Sequence, residues 1–450
     1  MIQPTDLTDL RAKLATVSPA NAWKAVRRLA LGSRDGDALA LAAAYAEVAK
    51  PSTDNLLRLW PQALDPDGFA EQVLAPAFDA EGRTELVLRR QGSLTGLRHL
   101  TMLESLTLDH CKTLTDVSEV APLTALRALE LDGCAAVSDL RPLSGLTGLT
   151  SLLLRNCRQV ADLSPLFGLR HLRRLDLRGT AVASVAGVGD AFPDLEELDL
   201  SGCRFVDDVR GLSGLSRLRE LDLSRTKITS LEGLRDLGSV TELSLHSTRL
   251  TGLDGIGVMT GLERLWLGGS TKVKSLDGLG HHPRLTALGL PPAPLPDLRP
   301  LSRLPALERL AIDRDQRLTS LDGLEGHPSI EEVYLAYAED LRDFSALARM
   351  PALRTLTLQG LEQLADLTPF SGLLHLEELH VAYTDELRTF GDVERLPSLR
   401  RLDLDSCSRL SDLSAIAGFP SLKEVRVSGC RALPSDLVDD LRARGLLVTD

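Results

Sequence analysis

Six side chains could do thiol chemistry: Cys111, Cys134, Cys157, Cys203, Cys407 and Cys430. Structural zinc sites use closely spaced cysteine pairs, two to four residues apart, and the chain has none. Each cysteine instead stands five residues after the first leucine of a Leu-x-Leu pair, as in Leu129-Glu130-Leu131-Asp132-Gly133-Cys134. Thr180, Thr226, Thr248 and Thr384 hold the same place in other copies. A place shared by Cys and Thr asks for a small, weakly polar side chain turned inward. The expectation is a column of buried, reduced thiols packing as small hydrophobes. Cys111, Cys134 and Cys157 stand on adjacent copies, close enough for a bridge by spacing. Parallel inward side chains and a cytosolic setting argue against one.

Other reactive types are plentiful but not assembled. Of the nine histidines, His171 and His375 share one position of the repeat, with His99 three residues earlier in its own copy, and His282 and His327 share another. Both positions are expected on the outer, return side. No HExxH, G-x-S-x-G or G-x-x-x-x-G-K-(S/T) occurs, so no zinc hydrolase, nucleophile elbow or P-loop is indicated. No catalytic residue and no cofactor is expected.

What positions these residues is a period. Leu-x-Leu cores, four of them with Val or Ile for a leucine, begin at 86, 106, 129, 152, 175, 198, 221, 243, 265, 288, 310, 333, 356, 379, 402 and 425. After a first step of 20, every step is 22 or 23. Alternation puts both leucines on one face and the residue between them on the other, so each core is a short half-buried strand. Strands repeated at this period lie parallel, roughly 4.8 Å apart. In the return, Asp162-Leu163-Ser164-Pro165-Leu166 and Asp366-Leu367-Thr368-Pro369-Phe370 place Ser or Thr before Pro. That is read as an N-cap followed by a first helical position. The space allows only a 3₁₀ or very short α turn. The copy after 288 departs from the rule, with four prolines in Leu290-Pro291-Pro292-Ala293-Pro294-Leu295-Pro296. It is either a local irregularity or a break in curvature.

Residues between the two leucines line the open strand face, and two zones stand out. The first is acidic: Asp199 and Asp222, with Glu196, Glu197, Glu220 and Glu242 beside them. Like charges across a ladder are unfavourable, which points to a basic partner or to a surface paired with Arg155, Arg173, Arg174 and Arg178. The second is aromatic. Trp266, Tyr334, Tyr337 and Tyr383 fall on or beside this face, with His380 among them. Exposed Trp and Tyr are enriched at interface hot spots. Tyr337 and Tyr383 covering the strand ends is the plainer alternative.

The full pattern, L-x-x-L-x-L-x-x-(C/T)-x-x-L-x-D-L-x-P-L-x-x-L, resembles the internalin-type repeats of bacterial leucine-rich repeat proteins. It is also similar to the sensor halves of actinobacterial NACHT-type proteins. The resemblance covers roughly residues 83–450. It implies an α/β solenoid whose parallel concave sheet binds a protein or peptide, with short 3₁₀ or α segments on the convex side. It carries over no catalytic residue. A NACHT-type role would place the ATPase on another chain.

Residues 1–82 lack the repeat and read as helices over Thr5–Val17, Ser18–Gly32, Asp37–Ala49, Asp54–Trp60 and Pro66–Leu74. Trp23 and Trp60 are expected in their core. This all-helical N-terminal domain caps the solenoid of 83–433 (about sixteen repeats) or docks a partner. Residues 434–450 are expected to close the other end with a helix and a strand, because exposed terminal repeats fray. The net charge is −12, from 51 basic and 63 acidic residues. That opposes nucleic-acid binding driven by phosphate neutralisation. No run of 18 apolar residues offers a membrane span, and the first ten residues have no signal-peptide pattern. Arginine outnumbers lysine 43 to 8, which fits a bacterial, high-GC source. The expectation is a cytoplasmic protein-binding scaffold, with the recognition subunit of a defence or signalling complex as alternative. Oligomeric state is not legible.

Overall fold

The computed structural model describes residues 4–292, 295, 297–314, 318–393, 396–434, 436–443 and 446–449. The chain forms two compact units, Met1–Val182 with Ala191–Leu195, and Ala183–Asp190 with Glu196–Asp450.

The first unit opens with helices α1 (Pro4–Lys13), α2 (Pro19–Gly32), α3 (Gly36–Ala49) and α4 (Thr53–Leu59). Pro66–Phe69, a π-helical turn Ala70–Leu74 and Ala75–Glu81 then run on without a break. This last helix continues beyond the expected end at Leu74. The wide π turn precedes Pro76, whose missing N–H and bulky ring a regular turn would not accommodate. Val26 and Leu29 of α2 and Leu39, Leu41 and Tyr45 of α3 are buried. Trp60 is buried too, and its indole N–H donates to Pro66 O (3.0 Å) and Thr95 O (3.1 Å). Trp23 is only half-buried. Asp67 pairs with Arg98 (2.6 Å) and His99 (3.0 Å). A side chain on Gly96 would meet the Ala70 Cβ at 2.7 Å. The helices therefore sit directly on the first repeat.

Strands β1 (Glu85–Arg89), β2 (Ser105–Asp109), β3 (Ala128–Asp132), β4 (Ser151–Leu153) and β5 (Arg174–Asp176) follow. They pair parallel in chain order, leucine against leucine. The second unit continues the same architecture. Its strands are β6 (Glu197–Asp199), β7 (Glu220–Asp222), β8 (Glu242–Ser244), β9 (Arg264–Trp266), β10 (Ala287–Gly289) and β11 (Arg309–Asp313). Then come β12 (Glu332–Ala336), β13 (Thr355–Gln359), β14 (Glu378–Ala382), β15 (Arg401–Asp405), β16 (Glu424–Ser428) and β17 (Leu447–Thr449). All pairings are parallel between successive strands. The copy around 288 keeps its register on both sides, since β10 pairs with β9 and β11. Three of its expected irregular positions, 293, 294 and 296, lie outside the described residues. A helix, Leu437–Ala443, precedes β17. No helix among the described residues is long and apolar enough to cross a membrane.

Two columns shape each repeat. The residue four after the first leucine is left-handed almost throughout. In the first unit these are Arg90, His110, Gly133, Asn156 and Gly179. In the second they include Gly202, Arg225, Ser247, Gly269, Arg314, Tyr337, Gly360, Tyr383, Ser406 and Gly429. Their φ values lie between +50° and +73°. Their N–H groups give the last ladder bond to the next repeat, as Gly133 N to Arg155 O (2.8 Å) and Tyr337 N to Gln359 O (2.7 Å). The left-handed step then turns the chain so that the next residue points inward. All six cysteines stand there, buried and without a disulfide. So do Thr180, Thr226, Thr248, Ser270 and Thr384. Their side chains donate to backbone carbonyls: Cys134 Sγ to Leu108 O (3.3 Å), Cys157 Sγ to Leu131 O (3.0 Å), Thr226 Oγ1 to Leu223 O (2.6 Å).

Most described returns are 3₁₀ turns such as Arg141–Leu143 and Ser164–Leu166, while Val188–Ala191 is a short α turn. The expected Ser/Thr N-cap is corrected here. Ser164 is the first residue of the turn, and the cap is Asp162, whose Oδ1 accepts from Ser164 N (2.9 Å). Asp139, Asp208, Asp297, Asp366 and Asp412 do the same two residues before Arg141, Arg210, Arg299, Thr368 and Ser414. A serine hydroxyl is too short to reach its own N–H; an aspartate two residues earlier is not. Other returns use glycine, and there the joints are tight. A Cβ on Gly233 would lie 2.4 Å from Arg210 N, and one on Gly278 2.8 Å from Asp254 N.

A second correction concerns His282 and His327. They are not on the outer surface: 0% and 4% of each is exposed. They fill a buried column held elsewhere in the second unit by Leu237, Met259, Leu304, Met350 and Leu373.

Candidate binding face

The open face carries the side chains that lie between the leucines. Tyr334 on β12 is half-buried, and its hydroxyl donates to Gln359 Oε1 (2.9 Å) on β13. Gln359 Nε2 in turn donates to Tyr337 Oη (3.0 Å). One glutamine thus ties two tyrosines of the neighbouring strand into a single plate. Burial, and then the nearby Asp313 carboxylate, push the Tyr334 phenol above its ordinary range, so it stays a neutral donor. The Tyr337 ring lies flat on Gly360, where an added Cβ would approach within 2.5 Å. The Arg314 guanidinium stands 5.9 Å over that ring. Gln359 and Arg314 are missing from the sequence-based site. The register Ala336↔Gln359 and the shared left-handed column at 314, 337 and 360 are the signals that would have found them.

Tyr383 stands two strands beyond Tyr337 and is 51% exposed; Tyr337 is 38% exposed. His380 is held between carboxylates, Nδ1 to Asp403 (2.8 Å) and Nε2 to Glu378 (3.4 Å). Trp266 is separate from this group. Its indole stacks on His246 with centroids 6.5 Å apart and 12° between planes, and it lies over Gly289. Its N–H points to Glu242 Oε1 (3.4 Å). Three strand steps separate it from Tyr334, roughly 14 Å.

The acidic zone is partly local structure. Asp199 and Asp222 each give one oxygen to a backbone N–H two residues on, Ser201 (2.7 Å) and Ser224 (2.8 Å). Glu197, Glu220 and Glu242 stand directly opposite one another in register, and Arg264 neutralises Glu242 (2.6 Å). In the first unit, Arg155 bridges Glu130 (3.3 Å) and Asp176 (2.6 Å). One trio, Asp109, His110 and Asp132, has metal-ligand types close together. Arg89 stands 3.4 Å from Asp109, and the cluster is open to solvent.

Residues 193–236 match a family model for leucine-rich repeats in two copies. A search of curated proteins finds no match. Among solved structures, the internalin InlF of Listeria monocytogenes is 20% identical, with a TM-score of 0.52 over 83% of this chain and 93% of that one. The functional domain of InlJ from Listeria monocytogenes, which includes a cysteine ladder, is 20% identical, with a TM-score of 0.51 over 76% of this chain and 73% of that one. TLR13, in complex with ssRNA13, is 20% identical, with a TM-score of 0.57 over 79% of this chain and 55% of that one. At this identity the likeness is one of fold. The NACHT-type resemblance stays an expectation from the sequence. The repeat period, the parallel sheet, the 3₁₀ returns and these matches give the chain a leucine-rich-repeat solenoid fold similar to that of the internalins.

Proposed function

We propose that the chain is a non-enzymatic scaffold that captures a protein or peptide on its open sheet face. Trp266, Tyr334, Tyr337 and Tyr383 are the anchors, His380 is a polar contact among them, and Asp199, Asp222, Glu197 and Glu220 form a charged margin. The observation that carries this reading is the backbone of Tyr337 and Tyr383. Both hold positive φ in a column where glycine is the commonest residue, and Tyr383 keeps about half, Tyr337 more than a third, of its surface in solvent. A bulky side chain in that conformation gives up roughly 1–2 kcal/mol. The core gains little from these rings, so contact with a partner is the compensation. The −12 charge favours a protein over a nucleic acid, and six buried free thiols suit the reducing cytoplasm.

The test uses the full chain as bait. Tyr337→Gly with Tyr383→Gly should lose the protein captured by wild type while thermal stability stays level or rises. Val258→Ala with Leu374→Ala, exposed on the return side, should retain it. Loss by the return-side pair and retention by the tyrosine pair would reject the open-face reading. A docking role for the helices is favoured by Leu31 and Leu64, more than 40% exposed and brought together by Leu64 N to Ala30 O (2.9 Å). An effector or ATPase on another chain would seat there.

A further inference from the structure

The return-side column holding His282 and His327 is otherwise apolar. A carbonyl only accepts, so the ring nitrogen facing one must carry the proton. His282 donates from Nδ1 to Met259 O (3.2 Å), and His327 donates from Nε2 to Leu301 O (3.2 Å). The remaining nitrogens, His282 Nε2 and His327 Nδ1, are buried with no hydrogen-bond partner. Each ring therefore fits its site as a neutral imidazole. An imidazolium would be buried without a counter-charge. Among the described residues, neither ring makes an ion pair. Three titratable groups on the surrounding returns have partners of their own. Arg284 pairs with Glu263. Glu325 takes the Gly323 N–H (2.7 Å) and faces Arg349 (3.9 Å). His281, exposed beside His282, bonds to Arg303 O (2.9 Å).

We propose that His282 and His327 make the segment from Met259 to Met350 an acid-sensitive section of the second unit. Protonation selects a locally opened form in which the imidazolium reaches water. The sign follows from burial, which holds both rings below the ordinary histidine value. The closed form stays neutral, while the opened form titrates near pH 6.5. The protection is therefore complete above about pH 7 and is lost as pH falls through that value. Between pH 7.5 and 5.5 the opening equilibrium rises by about tenfold per histidine while the closed ring stays neutral.

Hydrogen exchange by mass spectrometry on the full chain, corrected for intrinsic rates, tests this at pH 7.5 and 5.5. Amides around His282 and His327 should lose about tenfold or more of their protection at pH 5.5, and those around Leu237 and Leu373 should not. Leu and Met hold this column elsewhere, so His282→Leu with His327→Leu, or both to Met, should fold and abolish the acid response. Each single substitution should remove only its own local part. Unchanged protection in wild type, or a loss persisting in the Leu or Met variants, overturns the proposal.

Discussion

Replacing Tyr383 separately by Gly and by Ala isolates the backbone from the ring. Both substitutions delete the same side-chain contacts, so those cancel in the comparison. What remains is the left-handed conformation at φ +51°. Alanine keeps that penalty of about 1–2 kcal/mol, and glycine does not. Glycine gives back about 0.5–1 kcal/mol through its more flexible unfolded chain. The Gly variant should therefore be the more stable by about 1 kcal/mol. A 450-residue repeat array does not unfold in one step, so the assay is local. Exchange of the amides of Tyr383, bonded to Asp405 O (2.9 Å), and Leu387, bonded to Thr384 O (3.3 Å), should be about fivefold slower with Gly than with Ala. Thr357, in the middle of β13, provides the mirror case, where Gly should be weaker than Ala by about 0.5–1 kcal/mol. Equal protection of the two Tyr383 variants, or better protection with Ala, would refute the claim that the column imposes strain. The argument for tyrosines kept for a partner would fall with it.

In thiol labelling of the native chain, Cys430 should react first. It is the most exposed of the six, at 9%, and the neighbouring Cys407 thiol draws its own below the ordinary cysteine value. Cys157, pushed up to about 12 by burial, should react only after unfolding; equal native rates would contradict the inward column. Gly233→Ala should destabilise the second unit by about 1–3 kcal/mol, because the new Cβ meets backbone rather than a movable side chain. A loss of local amide protection from Gly233→Ala no larger than that from Gly238→Ala, where nothing lies within 4 Å, would show that the joint relaxes.

Much of this was legible because repetition turns single residues into columns. Sixteen Leu-x-Leu cores located the strands and their register. The Cys and Thr alternation located the inward position and its reduced thiols. Where reading stayed with residue type, it failed. His282 and His327 look like surface residues until they are aligned with Met259 and Leu304, which place them in the core. Gly133, Gly179, Gly202, Gly269, Gly360 and Gly429 already marked the left-handed column, and the aromatic exceptions at 337 and 383 could have been seen as such. Asp199 and Asp222 were read through their charge, although a carboxylate ending a strand also caps the backbone N–H two residues on. The Tyr334–Gln359–Tyr337 link depends on side-chain reach across strands, which a period does not encode.

The glycine joints on the return side bear on how such a chain can grow. Gly211 faces the backbone of Val185, Gly233 that of Val209 and Arg210, and Gly278 that of Leu253 and Asp254. Each of these copies is shaped to its predecessor, whereas other returns carry proline in the same place, as at Pro165 and Pro369. Duplication or recombination that inserts a proline copy ahead of a glycine copy changes the surface which that glycine must meet. Copy number in this lineage is therefore expected to change in blocks that preserve glycine-to-neighbour pairs, rather than one repeat at a time.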